Sequence, residues 1–337
     1  MRTMLTFRPF PFLAGPHRQT IVASQVGKTT EPPSMTQIMP LSDGDQIALE
    51  ISPPPNWQPT SPTVVLIHGL CGCHGSPYMI RLANKLWHRG VRAVRMNMRG
   101  CGSGQGLARQ PYHSGRSNDV QAVLDILRQK TPQSPITAIG FSLGGNVLLK
   151  WAGERGPLAS DDLVQIIAVC PPANLAACVR LFAQPSNRIY EWHFIRLLKT
   201  AVVARQALVA DSVPIIFPKK LTLYEFDNLY TAPHCGFRDA DEYYTLCSAA
   251  PLVPHITLPC RILFAKDDPL IDTRVFDHVP LPPNVQMYYT ACGGHLGFLG
   301  MPGLPGGYRW LDTQLLNWVG QPMRVQAMQS KTDGNGH

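Results

Sequence analysis

Short apolar runs that alternate with segments of helical periodicity constrain the fold of this chain most strongly. The apolar runs are TVVLIHG (63–69), VRAVRMN (91–97), ITAIG (136–140) and VQIIAVC (164–170). The helical segments lie near 78–89, 117–129 and 143–154. Continuous apolar runs of this length are typical of parallel strands covered by helices on both faces. The alternation therefore predicts an α/β protein with a doubly wound, mostly parallel sheet. Ahead of it, TQIMPL and DQIALEIS flank a turn at 42–45 and predict an antiparallel hairpin at the sheet edge.

The alternation stops after residue 170 and resumes at CRILFAKDD (260–268) and QMYYTACGG (286–294), before a last helix near 308–319. The interruption, residues 171–250, holds 11 of the 28 aromatic residues of the chain. A long insertion that carries so many apolar side chains is expected to be packed, and we predict a mostly helical cap there. The α/β core would comprise 1–170 and 251–325, with an N-terminal extension over 1–35 and a disordered tail over 326–337.

The cysteine count and the N-terminal sequence indicate the cellular compartment in which the protein is expected. Nine cysteines, an odd number in a chain of 337 residues, indicate a reducing environment, and we expect a cytoplasmic protein. Arg8, Pro9 and Pro11 interrupt the apolar N-terminus, so a signal peptide is not expected. The sequence contains no segment with the roughly 20 apolar residues needed to span a bilayer.

The distribution of charged residues and of glycines bears on which partners and cofactors the protein is expected to bind. The net charge is +8, but the Lys and Arg residues are dispersed and accompany no nucleic-acid motif. We therefore expect no nucleic-acid partner, while contact with an anionic membrane surface and the oligomeric state stay open. The run RGCGSGQG (99–106) lacks the spacing of nucleotide-binding loops, so no cofactor is predicted.

The segment ITAIGFSLGGNVLLKW places the pattern G-x-S-x-G, Gly140 to Gly144, between an apolar strand and an amphipathic helix. A sharp turn in this setting exposes the serine hydroxyl, because the flanking glycines remove side chains that would collide there. The pattern indicates Ser142 as a nucleophile.

A serine nucleophile needs a base and an acid that orients the base, and on this type of fold they follow the serine in the order acid, then histidine. The strand CRILFAKDD ends in Asp267 and Asp268, and QMYYTACGG leads to His295. We favour Asp268 as the acid because it precedes Pro269 and favours an extended backbone, and Asp267 is expected to be a solvated loop charge. His295 is the predicted base.

The stretch HGLCGCHG (68–75) suggests a metal or thiol site at first sight. Its C-x-C-H spacing is too tight for a structural zinc site, and it is not the C-x-x-C of redox pairs, so no metal is predicted. We expect His68 and His74 to be structural or to line a pocket. Because the loop follows a core strand, it should supply one oxyanion N–H, that of Leu70, with Leu143 as the second.

Several of these motifs together resemble the YheT-like branch of the α/β-hydrolases, which includes lipid-active ABHD-type enzymes. The resemblance covers about 17–300 and rests on these motifs: FPFLAGPHRQTIVAS, HGLCGCHGSPYM, RMNMRGCGSG, YHSGRSND, GFSLGGN, TAPHCGFRDADEYY, AKDDPLI and GGHLGF. It implies that Ser142, Asp268 and His295 match the charge-relay residues. Cysteines 71, 73 and 292 depart from the pattern but remove no backbone donor.

Ester hydrolysis by a serine esterase or lipase-like enzyme, through an acyl-enzyme, is the leading functional hypothesis. The resemblance implies short-chain esters, acylglycerols or phospholipids as substrates and, for some members, acyl transfer to alcohols. A small-molecule or lipid ester is the expected partner. Two alternatives stay open: an acyltransferase that uses the same triad, and a non-catalytic ligand-binding protein on the same scaffold.

Overall fold

A nine-stranded sheet forms the centre of the molecule, for which a computed structural model describes residues 2–26, 29–159, 163–209 and 215–323. The strands are β1 (Arg2–Met4), β2 (Met35–Pro40), β3 (Gln46–Ser52), β4 (Thr63–Ile67), β5 (Arg92–Met96), β6 (Ile136–Phe141), β7 (Gln165–Val169), β8 (Cys260–Ala265) and β9 (Val285–Thr290). Their order is β1-β9-β8-β7-β6-β4-β5-β3-β2. All neighbours pair in parallel except β2 with β3 and β3 with β5. The predicted parallel sheet and edge hairpin are confirmed.

Helices cover both faces of this sheet. Those of the core are α1 (Pro16–Gln25), α2 (Pro77–Trp87), α3 (Ser117–Lys130), α4 (Leu143–Arg155) and α10 (Trp310–Gly320). Between β7 and β8 lie α5 (Leu175–Phe182), α6 (Arg188–Leu208), α7 (Leu223–Phe226), α8 (Ala232–His234) and α9 (Ala240–Cys247). A π-helical turn, Asp227–Thr231, joins α7 to α8. The predicted tail, 326–337, lies outside the described residues.

The period-2 alternation of a strand explains the two hydrophobic cores. In β4, Val65 and Ile67 pack into the core shared with α3 and α4, whereas Val64 and Leu66 pack into the core shared with α2 and α10. All five residues of β4 are buried, which is why its sequence is apolar without interruption from Val64 to Ile67. Burial of each such aliphatic side chain contributes about 2 kcal/mol to folding.

Two elements near the N-terminus were not predicted from the sequence. Strand β1 pairs in parallel with β9, from Arg2 opposite Met287 to Met4 opposite Tyr289. Helix α1 begins after Gly15 and buries Gln19 and Ala23. A three-residue strand is too short to show periodicity, and α1 has few apolar residues, so neither gave a clear pattern.

The parallel strands β4, β6, β7, β8 and β9 bring their carboxyl ends to one edge of the sheet. Loops that leave this edge meet above it, and ligands bind at this edge in open α/β sheets. Within the described residues, no helix combines the length and the hydropathy that a membrane crossing requires.

Candidate active site

Ser142 occupies the sharp turn between β6 and α4, with φ 49° and ψ −120°. This conformation is costly for a residue with a side chain and persists only where the surroundings hold it. The flanking glycines are needed here. A Cβ on Gly140 would lie 2.4 Å from the carbonyl oxygen of Gly144, and one on Gly144 would lie 2.5 Å from that of His68. The turn lifts the Ser142 hydroxyl above the sheet edge.

The three predicted residues meet at this edge. His295 Nε2 lies 2.9 Å from Ser142 Oγ, and His295 Nδ1 lies 2.8 Å from Asp268 Oδ2. The Asp268 side chain is fully buried and the His295 side chain is 10% exposed. The other carboxylate oxygen of Asp268 accepts hydrogen bonds from the amides of Leu270 and Ile271, at 2.9 and 3.1 Å. These two donors fix the orientation of the carboxylate.

The environment of Asp267 differs from the one expected from the sequence. It was expected to be a solvated loop charge, but it is half-buried and its Oδ1 accepts the amide hydrogen of Gly294 at 2.9 Å. Burial is the main cause that raises the pKa of this carboxyl. Consecutive residues in a loop can point in different directions, so Asp267 and Asp268 contact different parts of the histidine loop: its backbone and its ring.

The loop 68–75 lies against the nucleophile, because a Cβ on Gly69 would be 3.1 Å from Ser142 Cβ. The amide of Gly69 donates to the Tyr78 hydroxyl at 2.9 Å, and that of Cys71 donates to the Tyr112 hydroxyl at 3.0 Å. The amides of Leu70 and Leu143 form no hydrogen bond to another described residue. Both leucines line the cavity that contains Ser142 and His295.

The histidines of this loop support its backbone. His68 is fully buried, and its Nε2 accepts the amide hydrogen of Met98 at 3.1 Å, so the proton resides on Nδ1, which donates to the Gly69 carbonyl. Burial lowers the pKa of His68 to about 4, which keeps the ring neutral. The backbone amide and ring Nδ1 of His74 both contact Asn97 Oδ1, at 2.8 and 3.0 Å.

The cysteines of the loop do not join a set of metal ligands drawn from the described residues. Burial raises the pKa of Cys71 to about 12, so its thiol stays protonated. In the part of the chain that the structure describes, the group that could hold a metal ion is Cys170, Asp268 and His295, whose ligand atoms lie within 4.8 Å of one another. Two of these three are already hydrogen-bonded to each other.

Two residues of α1 that the sequence did not indicate support the histidine loop. The hydroxyl of Thr20 accepts the amide hydrogen of His295 at 2.9 Å and donates to the Pro16 carbonyl at 2.8 Å. The buried Gln19 side chain accepts from the amide of Leu299 at 2.7 Å and donates to its carbonyl at 3.1 Å. No local pattern connects positions so far apart in the chain.

Ser142 and His295 open into a cavity of ≈ 400 Å³. About half of the residues that line it lie between β7 and β8, and most of these have apolar or aromatic side chains. They include Leu175, Val179, Phe182, Phe194, Leu198, Phe226 and Tyr230. A largely apolar cavity with a few convergent polar groups is typical of small-molecule sites.

Comparison with known proteins shows which protein family this chain resembles. The family model of the α/β hydrolase fold matches residues 62–188. YheT of Escherichia coli strain K12 is 32% identical, over 93% of this chain and 92% of its own length. Phospholipase ABHD3 of Mus musculus is 27% identical, over 80% of this chain and 68% of its own. The esterase Pf2001 of Pyrococcus furiosus has a similar fold, with a TM-score of 0.55 at 15% identity, covering 88% of this chain and 94% of the esterase.

The chain therefore belongs to the α/β-hydrolase family. Within that family it belongs to the YheT-like, ABHD-related branch, as the motifs predicted.

Proposed function

We propose that this protein is a serine hydrolase that cleaves carboxylic esters of apolar acids through an acyl-enzyme. The observation that carries the proposal is the hydrogen-bonded chain Ser142–His295–Asp268, with distances of 2.9 and 2.8 Å, at one end of an apolar cavity. The phospholipase name of the ABHD3 relative supports ester hydrolysis.

In the first half-reaction His295 Nε2 takes the proton of Ser142 as its oxygen attacks the ester carbonyl. The carbonyl oxygen becomes an oxyanion, which would accept hydrogen bonds from the amides of Leu70 and Leu143. Each preorganised donor of this kind is worth about 3 kcal/mol of transition-state stabilisation. Collapse of the intermediate returns the proton to the leaving alcohol. In the second half-reaction His295 activates water, which releases the acid and restores Ser142.

Asp268 would keep the proton of His295 on Nδ1, so that Nε2 is free to accept from Ser142. It would also stabilise the imidazolium that forms in each half-reaction. The hydrogen bonds that Asp268 accepts from the amides of Leu270 and Ile271 hold the carboxylate in place while the charge on the ring changes.

The helices over 171–250 would act as a cap. They supply most of the apolar wall of the cavity, which suits an acyl chain and limits the access of water to the acyl-enzyme. The substrate would be a small-molecule or lipid ester with an apolar acyl group.

Labelling with a fluorophosphonate probe tests the proposal, since the probe reacts with activated serines. Wild-type protein should be labelled at Ser142 and should hydrolyse a panel of p-nitrophenyl esters of increasing chain length. Ser142→Ala should lose both properties and keep its melting temperature. A folded wild-type protein that neither reacts with the probe nor cleaves any ester would refute the proposal.

A further inference from the structure

Helix α6 presents large apolar side chains to solvent along one face. Ile189, Trp192, Arg196 and Val203 follow one another at helical spacings, which places them on the same side of the helix. The three apolar members of this set are between 61% and 62% exposed, and Arg196 is exposed as well. The opposite side of α6 is buried against the molecule through Ile195, Leu198 and Val202. Exposed apolar side chains that lie together, rather than singly, indicate an interaction surface.

Cations accompany the apolar side chains on this face. The guanidinium of Arg196 lies 5.0 Å from the centre of the Trp192 ring. Lys199, one turn after Arg196, donates to the Pro218 carbonyl at 2.7 Å and so holds the following segment against the helix. That segment exposes one more apolar side chain and two more cations, which are those of Ile216, Lys219 and Lys220.

The positive charge of the chain is concentrated in this region. Residues 188–220 contain six Lys or Arg and two Asp or Glu, which gives them a net charge of +4, half of the +8 of the whole chain. They make up about a tenth of the sequence. The acidic residue of α6, Glu191, is half-buried, and its carboxylate accepts the amide hydrogen of Leu223 at 3.0 Å. The exposed face of α6 is therefore both apolar and positively charged.

The same face borders the entrance of the cavity that contains Ser142. Thr200 lies one turn from both Arg196 and Val203, and Thr200 and Ala201 are exposed and also line the cavity. The cavity therefore opens to solvent beside this face. At the end of the helix, a Cβ on Gly106 would lie 3.4 Å from Leu208 Cβ, so the loop 99–106 forms the other side of the entrance.

Charge and composition select the kind of partner. A second copy of this chain would bring an equal positive charge against the face and would be repelled. Tryptophan and aliphatic side chains with interspersed Lys and Arg suit the lipid–water interface, where an indole ring lies at the level of the headgroups. Lys and Arg beside that surface are attracted to anionic lipids.

We propose that the outer face of α6 binds an anionic lipid surface and thereby places the entrance of the cavity against the lipid. The residues of this lipid-binding face are Ile189, Trp192, Arg196, Lys199 and Val203. The binding goes beyond the proposed ester hydrolysis and does not depend on it.

Co-sedimentation with vesicles tests the proposal. Full-length Ser142→Ala protein is used, so that turnover of lipid cannot affect the result. It should bind vesicles of equal parts phosphatidylcholine and phosphatidylglycerol at least about 10-fold more tightly than vesicles of phosphatidylcholine alone. Added salt should weaken the binding, because it screens the charges. Binding should also shift tryptophan emission to shorter wavelength, and this shift should be smaller in Trp192→Phe.

Two variants connect the binding to the face. Trp192→Ser and Arg196→Glu, made in the same Ser142→Ala protein, should each lower the affinity for the anionic vesicles about 10-fold or more. Both side chains lie outside the described lining of the cavity, so the same changes in otherwise wild-type protein should leave the hydrolysis of a soluble p-nitrophenyl ester unchanged. Unaltered melting temperatures would show that both variants fold.

Matched controls lie on other elements. Met35→Ser removes an apolar side chain that is 59% exposed at the start of β2, and Arg89→Glu reverses an exposed charge after α2. Both should keep most of the affinity for the vesicles. Failure of the parent protein to bind anionic vesicles at low salt overturns the proposal, as do losses of equal size in the controls and in the α6 variants. A concentration-dependent dimer that Trp192→Ser dissociates would instead assign the face to self-association and overturn it as well.

Discussion

Two adjacent aspartates at the end of β8 contact the histidine loop in different ways. Asp268 accepts a hydrogen bond from the ring Nδ1 of His295, whereas Asp267 accepts one from the backbone amide of Gly294. We predict that Asp268→Asn lowers kcat by about 10³-fold or more, because the amide favours the wrong tautomer of His295. Steady-state hydrolysis of a p-nitrophenyl ester measures the effect.

Asp267→Asn is the matched control for this prediction. An asparagine Oδ1 can still accept from Gly294, so kcat should stay within a few-fold of wild type. If Asp267→Asn caused the larger loss while both variants stayed folded, the assignment of the acid would have to be exchanged.

The role of the two cysteines next to the predicted oxyanion donor can also be tested at the scale of single residues. Cys71 and Cys73 line the cavity, and the roles assigned to their loop require only backbone amides. We predict that the double variant Cys71→Ser with Cys73→Ser retains most of the esterase activity, and that a chelator leaves wild-type activity unchanged. Strong inhibition by EDTA, or loss of activity in a folded double variant, would argue for metal or thiol chemistry.

At the scale of elements, α1 supports the loop that carries His295. Thr20 accepts the amide hydrogen of His295, and a Cβ on Gly294 would lie 2.5 Å from the Pro16 carbonyl, so the helix and the loop are in close contact. Thr20→Val keeps the size of the side chain and removes the acceptor. We predict that it lowers kcat about 10-fold with little change in KM, because a small displacement of His295 weakens proton transfer.

Thr20→Ser provides the control, since it keeps the hydroxyl and should restore most of kcat. A purely structural role of Thr20 would instead lower the melting temperature in proportion to the loss of activity and leave kcat per folded molecule unchanged. Thermal unfolding and active-site titration of the same samples distinguish these outcomes.

At the scale of the whole molecule, buried neutral histidines make stability depend on pH. Burial lowers the pKa of His68 to about 4 and that of His113 to about 3, whereas both titrate near 6.5 when unfolded. The unfolded chain therefore binds more protons below pH 6.5, and the stability that these histidines contribute is lost as the pH falls towards the folded pKa values. Each should lower the free energy of unfolding by about 2 kcal/mol between pH 7 and pH 5.

Asp227 has the opposite effect. Burial raises its pKa to about 6, so its contribution to the free energy of unfolding is larger at acid pH. It offsets only part of the loss that the two histidines cause. Denaturant unfolding at pH 7 and pH 5 measures the net change. In His68→Asn, which can both donate and accept at this position, the decrease should be smaller than in wild type. An equal decrease in the two proteins would contradict the role given to His68.

Much of the fold and the centre of the site could be predicted from the sequence, because the relevant patterns are local. Buried strands appear in the sequence as apolar runs. The turn at Ser142 requires glycine at positions 140 and 144, and both glycines can be read directly from the sequence. Chain order then indicated Asp268 and His295, since strand ends of a parallel sheet meet at one edge. The contact of Asp267 with Gly294 left no such pattern, and the sequence suggested a solvated charge instead.

The sequence by itself determined the parallel sheet, the edge hairpin, the sharp turn at Ser142 and the order of the candidate triad, because each depends on periodicity or on residues close together in the chain. Only the tertiary structure decided that α1 holds the His295 loop through Gln19 and Thr20, and that Asp227 and Tyr230 face the cavity. Those contacts join residues up to 280 positions apart, as between Gln19 and Leu299. They arise when the sheet and the helices around it pack together, and no local pattern records them.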